Sequence, residues 1–375
     1  MVIFTSVCAN YVHKARSLAQ SVKRHIPDAK MILCLVEREI DPKIYADCFD
    51  DIVLAKDAWE GNFDRFIFKH AIVEASTSVK GQFFRYLMDR FTEEDKFVYL
   101  DPDCFVYSDF VELKEELDKH PIVLCPHLLK AGNIDMELSS TAHGVYNLGF
   151  LGISRSEEGR KCVDWWAERL YLFCYDDIQR GVFTDQKWFD LAPCFFDVKV
   201  FKHHGYDFAP WSLMNSTITK DEAGNYYLEG DPLRFIHFSG YGRSAEECMS
   251  KWMSEEGKLF RELYQEYSAI HDGNDEDKIS KTVWGYSNYA SGEKVEDCVR
   301  RAYRSNWDVM FLYEDPFVYS NAEYRTLLGI GEDGEVKQPS EFARLMAKAK
   351  VTLKKNGLGG LIKAFFKWMK NSVNK

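Results

Sequence analysis

The chain has 375 residues, of which 46% are hydrophobic and 15% aromatic, and its formal net charge at pH 7 is −11. A chain of this length and composition can bury a large core, which favours one large domain with an appendage or two domains. The acidic balance argues against a protein that holds nucleic acid along its surface.

The first part of the chain alternates between strand-like and helix-like segments. Amphipathic or apolar stretches predict helices over residues 12–25 and, with a break near 76–78, over 68–91. Short apolar runs predict strands at residues 2–7, 31–36, 52–54 and 97–100. Strands that alternate with helices in this way predict a parallel sheet with crossover helices.

The strand at 97–100 runs directly into two aspartates, Asp101 and Asp103, with Pro102 between them. Carboxylates two positions apart on an extended backbone point to the same side, and the proline limits how the turn can bend. Oxygen ligands in this arrangement suit Mn²⁺ or Mg²⁺, whose remaining positions are filled by water and phosphate oxygens. The alternative is a turn in which both acids face water. Because metal sites in open α/β sheets lie at the carboxyl ends of buried strands, we favour the metal site.

Two polar islands lie at or within other apolar segments. Tyr11, which follows Asn10 just beyond the first strand, could stack on a nucleobase, although a lone tyrosine more often packs in a core. Asn147 interrupts an apolar strand and so needs hydrogen-bond partners. Gly149, two residues later, removes a side chain where a ligand could approach closely.

Two further islands carry an acid and a histidine. Thr184 is a favourable N-cap and predicts a helix that starts there, so that Asp185, followed by Gln186, suits a capping acid as well as a catalytic one. His237 lies in an apolar strand near 235–238. A histidine in such a place usually satisfies a core, but beside an aspartate pair it is a candidate third metal ligand.

Taken together and in this order, the islands resemble the motifs of the GT-A glycosyltransferases over about residues 2–245. The resemblance is strongest to the retaining family 8 type, which includes glycogenin and galactosyltransferases of lipooligosaccharide assembly. The family's Asn-Tyr pair corresponds to Asn10 and Tyr11, its Asp-x-Asp to Asp101 and Asp103, its Asn-x-Gly to Asn147 and Gly149, its Asp-Gln to Asp185 and Gln186, and its His-x-x-Gly-x-x-Lys to His237, Gly240 and Arg243.

This resemblance implies an α/β fold of the GT-A type, with a mixed, mostly parallel sheet flanked by helices and a helical C-terminal extension. It implies a Mn²⁺ or Mg²⁺ ion held by Asp101, Asp103 and His237 on the diphosphate of a nucleotide-sugar. Arg243, in the turn with Gly240, would neutralise phosphate oxygens.

The resemblance also implies the residues that bind the donor. Asn10 and Tyr11 would contact the nucleotide, while Asn147, Asp185 and Gln186 would line the sugar pocket. Arg85 matches an arginine that similar enzymes place near the donor sugar and phosphates, and Lys80 is its rival. Cys8 stands where similar enzymes commonly carry an acid that reads uracil, which leaves the base open.

The implied activity is transfer of a sugar from a nucleotide-diphosphate donor, in most such enzymes a UDP-sugar, to a glycan or lipid-linked glycan, with retention. Attack from the leaving-group face is favoured over two inversions through Asp185 or Gln186, since glutamine is a poor nucleophile. An inverting enzyme would need a base, for which Asp185 is the first candidate. Two other classes stay open: a nucleotidylyltransferase, and an inactive carbohydrate-binding or scaffold protein.

The resemblance implies a catalytic domain at 1–245, after which composition indicates a helical and aromatic subdomain at 246–345 and a basic tail at 346–375. The tail contains eight lysines and no acid. Its apolar residues recur at helical spacing, at positions 358, 361, 362, 365, 366 and 369. A basic amphipathic helix suits an anionic membrane surface, whereas the alternative is a terminal helix that packs on the protein itself.

Two features bear on the compartment. No run approaches the ~20 apolar residues of a membrane span, and residues 1–7 are too short for the core of a signal peptide. The ten cysteines are scattered without a Cys-x-x-Cys pair, which predicts reduced packing residues. We therefore expect a cytoplasmic protein, with peripheral contact at the inner face of the plasma membrane through the tail.

Overall fold

The computed structural model describes residues 1–44, 48–253 and 258–336. These residues form two compact units. The first contains Met1–Trp59 and Ile72–Gly285, and the second contains Glu60–Ala71 and the described residues from Tyr286 on. The composition boundary at residue 245 falls inside the first unit. The tail at 346–375 lies outside the described residues, so its helix stays a prediction.

The elements are named in chain order. The strands are β1 (Val2–Val7), β2 (Lys30–Leu35), β3 (Asp51–Leu54), β4 (Lys96–Leu100), β5 (Cys104–Val106), β6 (Ile122–Leu124), β7 (Phe150–Ser154), β8 (Asp176–Asp177), β9 (Val182–Phe183), β10 (Val198–Val200), β11 (Ile218–Lys220), β12 (Tyr226–Leu228), β13 (Asp231–Pro232) and β14 (Phe235–His237). The α-helices are α1 (Val12–His25), α2 (Phe63–Phe68), α3 (Ile72–Ser78), α4 (Lys80–Arg90), α5 (Val111–Leu117), α6 (Ile134–His143), α7 (Glu157–Phe173), α8 (Ala192–Phe195), α9 (Ser244–Trp252), α10 (Lys258–Gly273), α11 (Asp297–Arg304), α12 (Trp307–Met310) and α13 (Asn321–Leu328). Short 3₁₀ helices lie at Ala9–Tyr11, Pro42–Ile44, Ala55–Ala58, Ile178–Arg180, Lys187–Leu191, Pro210–Asn215, Ile279–Lys281 and Pro316–Val318.

Within the described residues, the first unit is built on a seven-stranded sheet with the order β10-β6-β7-β4-β1-β2-β3. The pairs β1/β2, β1/β4, β2/β3 and β6/β10 are parallel. β7 is antiparallel to both of its neighbours, β4 and β6. Helices α1, α4 and α5 pack against the strands. The predicted fold class, a mixed and mostly parallel sheet flanked by helices, is confirmed.

The central strands are buried because they are apolar on both faces. Every residue of β1 is buried, as are the last four residues of β4. Near-continuous apolar runs are typical of parallel strands that are covered on both sides. The helix predicted over 12–25 is α1, and the stretch predicted over 68–91 is divided into α3 and α4, which meet at Val79.

A small second sheet joins the segment that follows the aspartate pair to β14. β5, which follows the aspartate pair, is antiparallel to β14, and His237 lies opposite Cys104. The backbone N–H of Phe238 donates to the carbonyl of Asp103 over 2.8 Å. This pairing brings a histidine from the distant β14 beside the turn that ends β4.

None of the helices in the described part of the chain is long and apolar enough to cross a membrane.

Candidate active site

Three side chains at the end of β4 and in β14 form a cluster with the donor set of a divalent cation site. Asp101, Asp103 and His237 each offer one ligand atom within 4.8 Å of the others. Nε2 of His237 lies 3.3 Å from Oδ1 of Asp103 and 3.7 Å from Oδ2 of Asp101. Ligands on adjacent positions of an octahedral Mg²⁺ site are separated by about 3 Å. The three predicted ligands could therefore bind one ion of this class if the distances between their ligand atoms shortened slightly.

Lys80 occupies the space between this cluster and the residues predicted for the sugar pocket. Its Nζ lies 2.8 Å from Oδ2 of Asp185 and 3.2 Å from Oδ1 of Asp101. The Tyr99 hydroxyl also donates to Oδ1 of Asp101, over 2.5 Å. Lys80 is 2% exposed and Asp185 is 3% exposed. The two residues thus form a buried ion pair that contacts Asp101 of the candidate cation site.

The charges of this pair oppose the effect of burial. Burial lowers the pKa of Lys80, but Asp101 and Asp185 outweigh it and hold that pKa well above its ordinary value. Burial raises the pKa of Asp185, and the neighbouring Lys80 offsets only part of that rise. Lys80 is therefore held in its charged form, and its charge favours the ionised form of Asp185.

Lys14, on α1, was not among the residues that the motifs indicated. Its Nζ lies 3.5 Å from Oδ2 of Asp103 and 4.6 Å from the centre of the Tyr11 ring. Burial raises the pKa of Asp103, but the Lys14 charge and the hydrogen bond with His237 bring it below its ordinary value. The sequence signal for Lys14 was its position three residues after Tyr11, at the start of a helix whose N-terminus follows β1.

The Asn-x-Gly motif holds the imidazole ring of His237. Oδ1 of Asn147 accepts from the N–H of Gly149 over 3.1 Å, and its Nδ2 lies 3.2 Å from Nδ1 of His237. A Cβ atom on Gly149 would lie 2.3 Å from that Nδ1. The space left by this glycine is therefore filled by His237, which differs from the expected approach of a ligand.

Replacing Gly149 with alanine should displace His237. A contact of 2.3 Å is far inside van der Waals distance, so the ring has to leave the position in which Nε2 faces the two aspartates. We expect Mn²⁺ affinity, measured by calorimetry, to fall at least about tenfold, the lower end of the loss seen when the supporting shell of a metal site is altered.

Gly152→Ala is the matched control for this variant. It lies three positions after Gly149, within β7, and its added Cβ would meet only side-chain atoms at 3.3 Å or more. Its Mn²⁺ affinity should equal that of the wild type. If both variants bound Mn²⁺ like the wild type, the ring of His237 would not depend on Gly149.

Asp207 is a further acid at this cluster that no sequence pattern indicated. Its Oδ1 lies 3.4 Å from Nδ1 of His237, on the side of the ring away from Asp101 and Asp103. Burial raises the pKa of Asp207 to about 6, even though His237 acts to lower it. The residue lies in a loop before Pro210–Asn215, where apolar periodicity carries no information.

The expected helix start at Thr184 is wrong. The helix that follows is a 3₁₀ helix, Lys187–Leu191, with no side-chain cap. Thr184 has a φ of +43°, a strained conformation for a β-branched residue. It is stabilised by its surroundings, since the Trp166 indole donates to the carbonyl of Asp185 over 3.0 Å. The side chain of Asp185 therefore forms an ion pair with Lys80 and does not cap a helix.

Gln186 is fixed by two hydrogen bonds to the backbone. Its Oε1 accepts from the N–H of Leu148 over 3.0 Å, and its Nε2 donates to the carbonyl of His143 over 3.2 Å. It joins the Asn-x-Gly segment to the end of α6 and lines the same cavity as Asp185.

Two predicted donor-binding residues, Arg85 and Arg243, make no hydrogen bond or ion pair with the cluster in the part of the chain that the structure describes. Arg85 pairs with Asp164 over 2.9 Å and with Gln82 over 2.9 Å. It lies five positions after Lys80 on α4, and five residues turn an α-helix by about 140° beyond one full turn, so the two face different sides. Of the two rivals, Lys80 is the one at the site.

Arg243 is exposed, and its side chain makes no hydrogen bond or ion pair with any other residue that the structure describes. It follows a turn in which Gly240 has a φ of +74°, and a Cβ on that glycine would lie 2.0 Å from the hydroxyl oxygen of Ser244. Gly240 is therefore required by the turn itself, and the turn ends in Arg243 at the start of α9.

Two cavities meet at the aspartate pair. The smaller, of about 310 Å³, is lined by Cys8, Asn10 and Tyr11 among others. The larger, of about 520 Å³, is lined by the polar residues Lys80, Asn147, Asp185, Gln186 and His237 and also by His127 and Trp211. Asp101 and Asp103 line both. The candidate cation site therefore lies at the junction of the two cavities.

The smaller cavity carries groups that suit a nucleotide. Tyr11 is 43% exposed, so the alternative of a packed core residue does not hold. Oδ1 of Asn10 is buried and has no hydrogen-bond partner among the described residues. Cys8 is buried, with Sγ 3.9 Å from the carbonyl of Ile72. The cavity thus offers an aromatic face and one buried acceptor that needs a donor.

Comparison with known proteins finds no matching protein-family model. The uncharacterized protein YfnF of Bacillus subtilis (strain 168) is 27% identical over 173 residues, which cover 44% of this chain and 55% of YfnF. The uncharacterized protein YfnD of the same organism is 27% identical over 168 residues, which cover 44% of this chain and 52% of YfnD. The chain thus matches about half the length of these relatives.

Several solved structures are similar at low identity. The galactosyltransferase LgtC in complex with donor and acceptor sugar analogues is 16% identical, covers 73% of this chain and 96% of its own, and has a TM-score of 0.44. The glycosyltransferase GlyE of Streptococcus pneumoniae TIGR4 is 16% identical, with coverages of 75% and 65% and a TM-score of 0.41. The bifunctional glycosyltransferase WbbM is 13% identical, with coverages of 75% and 51% and a TM-score of 0.42. All three are glycosyltransferases, the class that the sequence motifs resemble.

Proposed function

We propose that the protein is a metal-dependent glycosyltransferase that moves a sugar from a nucleotide-diphosphate donor, most simply a UDP-sugar, to a glycan or lipid-linked glycan acceptor. The observation that carries this proposal is the position of Asp101, Asp103 and His237 at the junction of two cavities. A diphosphate that bridges a nucleoside and a sugar needs such a junction, with one cavity for each end of the donor.

In this proposal the smaller cavity binds the nucleoside. The exposed ring of Tyr11 offers a face for stacking on the base, and Oδ1 of Asn10 accepts a hydrogen bond from the nucleoside. Lys14 neutralises phosphate oxygens, because its Nζ lies beside Asp103 and above the Tyr11 ring. Arg243 and the Gly240 turn stay predicted phosphate contacts that would act from the surface.

The larger cavity binds the sugar of the donor and the acceptor. Asn147, Asp185 and Gln186 offer amide and carboxylate groups to sugar hydroxyls, and Lys80 holds Asp185 in place. The indole of Trp211 provides an aromatic surface for a sugar ring in the same cavity, and its Nε1 is fixed by the carbonyl of His127 over 3.1 Å.

The chemical task is departure of the nucleoside diphosphate as negative charge grows on the leaving oxygen. A bound Mn²⁺ or Mg²⁺ would supply a Lewis acid at that oxygen, held by Asp101, Asp103 and His237, which typically contributes several kcal/mol. Lys14 and Lys80 add preorganised positive charge in a site that is partly shielded from water. The protein thereby stabilises the transition state more than the bound donor.

The contacts of Asp185 and Gln186 favour attack on the face from which the diphosphate leaves, with retention. A nucleophilic Asp185 would have to break a 2.8 Å ion pair with Lys80 while buried. Both polar atoms of the Gln186 amide are already bonded to the backbone. We therefore assign both residues to positioning of the sugar and not to covalent catalysis.

The test is release of UDP from UDP-sugars, measured with and without Mn²⁺ and in the absence of an acceptor. A slow release that requires Mn²⁺ is expected. Formation of pyrophosphate from a nucleoside triphosphate and a sugar phosphate would instead identify a nucleotidylyltransferase, and a protein with neither reaction would be a binding module. A thermal-shift panel of nucleotide sugars identifies the donor, since a ligand at 100 times its Kd stabilises by about 2.7 kcal/mol.

Contact with a membrane through residues 351–375 is a separate prediction. Removal of these residues should abolish sedimentation with vesicles rich in anionic lipid while Mn²⁺-dependent UDP release is kept. Replacing Lys363, Lys367 and Lys370 by glutamine should weaken vesicle binding about 100-fold, since each lysine near anionic lipid contributes ~1 kcal/mol. Equal sedimentation of the full-length and shortened proteins would contradict the prediction.

A further inference from the structure

Asp207 lies in an environment that is unusual for a carboxylate. Its side chain is 1% exposed, and neither carboxylate oxygen has a well-aligned hydrogen-bond partner among the described residues. The polar atom that the structure gives it is Nδ1 of His237, 3.4 Å from its Oδ1. An acid that is buried without full hydrogen bonding is destabilising, so its presence calls for an explanation.

The backbone keeps Asp207 beside the ring. Its φ is +53°, in the left-handed region that few residues other than glycine, asparagine and aspartate adopt. The next residue, Phe208, makes two backbone hydrogen bonds with β14. Its carbonyl accepts from the N–H of His237 over 2.8 Å, and its N–H donates to the carbonyl of Phe235 over 3.4 Å. The loop is therefore attached to the strand that carries the histidine.

The proton of the His237 ring decides which neighbour can be its partner. If Nε2 faces a cation together with Asp101 and Asp103, its lone pair is needed there and the ring proton must be on Nδ1. A protonated Nδ1 needs an acceptor. Two groups lie within reach of it, Nδ2 of Asn147 at 3.2 Å and Oδ1 of Asp207 at 3.4 Å.

Asn147 cannot supply that acceptor. Its Oδ1 accepts from the N–H of Gly149 over 3.1 Å, and this backbone donor determines which way the amide faces. Turning the amide would place its NH₂ against the Gly149 N–H, so that two donors would meet. The group that faces Nδ1 is therefore a donor, and it is compatible with a ring that carries its proton on Nε2.

We propose that Asp207 is the positioning residue of the metal site, an inference that rests on the proposed function. It accepts a hydrogen bond from Nδ1–H of His237, and so selects the tautomer and the ring orientation in which Nε2 binds a divalent cation. Asn147 favours the opposite tautomer, in which Nε2–H points to Asp103 over 3.3 Å. The two neighbours of Nδ1 thus favour opposite tautomers, and a bound cation would require the one for which Asp207 is the acceptor.

Two substitutions separate the acceptor from the backbone requirement. Asparagine and glycine both tolerate a φ of +53°, but only asparagine keeps an oxygen that can accept from Nδ1–H. Asp207→Asn should bind Mn²⁺ within about threefold of the wild type, and Asp207→Gly should bind it about 10 to 100 times more weakly, as found for outer partners of metal-binding histidines. Mn²⁺ binding is measured by electron paramagnetic resonance on protein confirmed as folded by circular dichroism.

A second measurement determines directly which nitrogen of the His237 ring carries the proton. In Mg²⁺-loaded protein labelled with ¹⁵N-histidine, His237 should carry its proton on Nδ1 in the wild type and in Asp207→Asn. In Asp207→Gly at the same Mg²⁺ concentration, the signal of the Nε2–H form should increase. These results would support the proposal.

The outcomes separate this inference from the function on which it rests. Equal Mn²⁺ affinity of the wild type and Asp207→Gly, or an unchanged tautomer, would overturn the role of Asp207 alone. A wild-type protein that bound no Mn²⁺ would overturn the proposed function and this inference together.

Discussion

Replacing Asp103 by asparagine should lower Mn²⁺-dependent release of UDP from the donor sugar about 10²- to 10³-fold without unfolding the protein. The substitution keeps the shape of the side chain but removes its negative charge. The oxygen that lies 3.3 Å from Nε2 of His237 would become a neutral, weaker ligand, and Lys14 would lose the acid that it contacts. The loss of several kcal/mol of transition-state stabilisation corresponds to this change in rate.

The matched control is Asp109→Asn. Asp109 follows β5 in the same segment, but its partner is Lys114 on α5 and it lines neither cavity. Its rate should equal that of the wild type. A rate for Asp103→Asn within threefold of the wild type would show that this carboxylate does not hold the ion.

Replacing Lys80 by methionine should lower the free energy of unfolding by about 3 to 5 kcal/mol, the usual result of removing one partner of a buried ion pair. Methionine fills much of the same volume, so the loss arises from charge. Asp185 is 3% exposed and would keep a carboxylate in the interior without its cation. Urea unfolding followed by circular dichroism measures the change.

The pH dependence of this loss has a definite sign. The folded-state pKa of Asp185 is already raised above its ordinary value of 3.8 by burial, and loss of Lys80 removes the interaction that lowers it. A carboxyl with a raised folded pKa favours the folded state when protonated, and this stability disappears as pH rises through that pKa. The variant should therefore be more destabilised at pH 8 than at pH 5.

A double variant tests whether charge is the cause. Lys80→Met with Asp185→Leu removes both partners, and a buried pair replaced by apolar groups is often neutral for stability. Most of the lost stability should return, while UDP release should stay as low as in the single variant. If the double variant were no more stable than Lys80→Met, packing and not charge would explain the loss.

Local sequence patterns predicted the sheet because its central strands are nearly continuous apolar runs and alternate with helical segments. β1, β4 and α1 could be recognised in this way. The aspartate pair could also be recognised, since both residues lie within three positions at the end of a strand. His237 is different: its place beside Asp103 depends on the pairing of β14 with β5, and the motif order of a known family, not periodicity, indicated it.

The residues that were missed or misplaced depend on tertiary structure. Which side of α4 faces the site depends on how the helix packs, and in the structure that side carries Lys80, whereas Arg85 pairs with Asp164. Thr184 suits a helix start by composition, yet its surroundings impose a φ of +43°. Asp207 comes from a loop whose place is set by its attachment to β14, for which a single sequence carries no signal.

The ammonium group of Lys80 contacts both Asp101, which lines the two cavities, and Asp185, which lines the larger one. If the proposed cation binds at Asp101, the attraction between that carboxylate and Lys80 should weaken, and Asp185 should gain the larger share of the ammonium charge. Binding of the cation would thereby change the charge that a sugar meets at Asp185, through a single side chain. Thermodynamic linkage then requires the reverse effect as well, so that a sugar which engages Asp185 alters the affinity for the cation by the same factor.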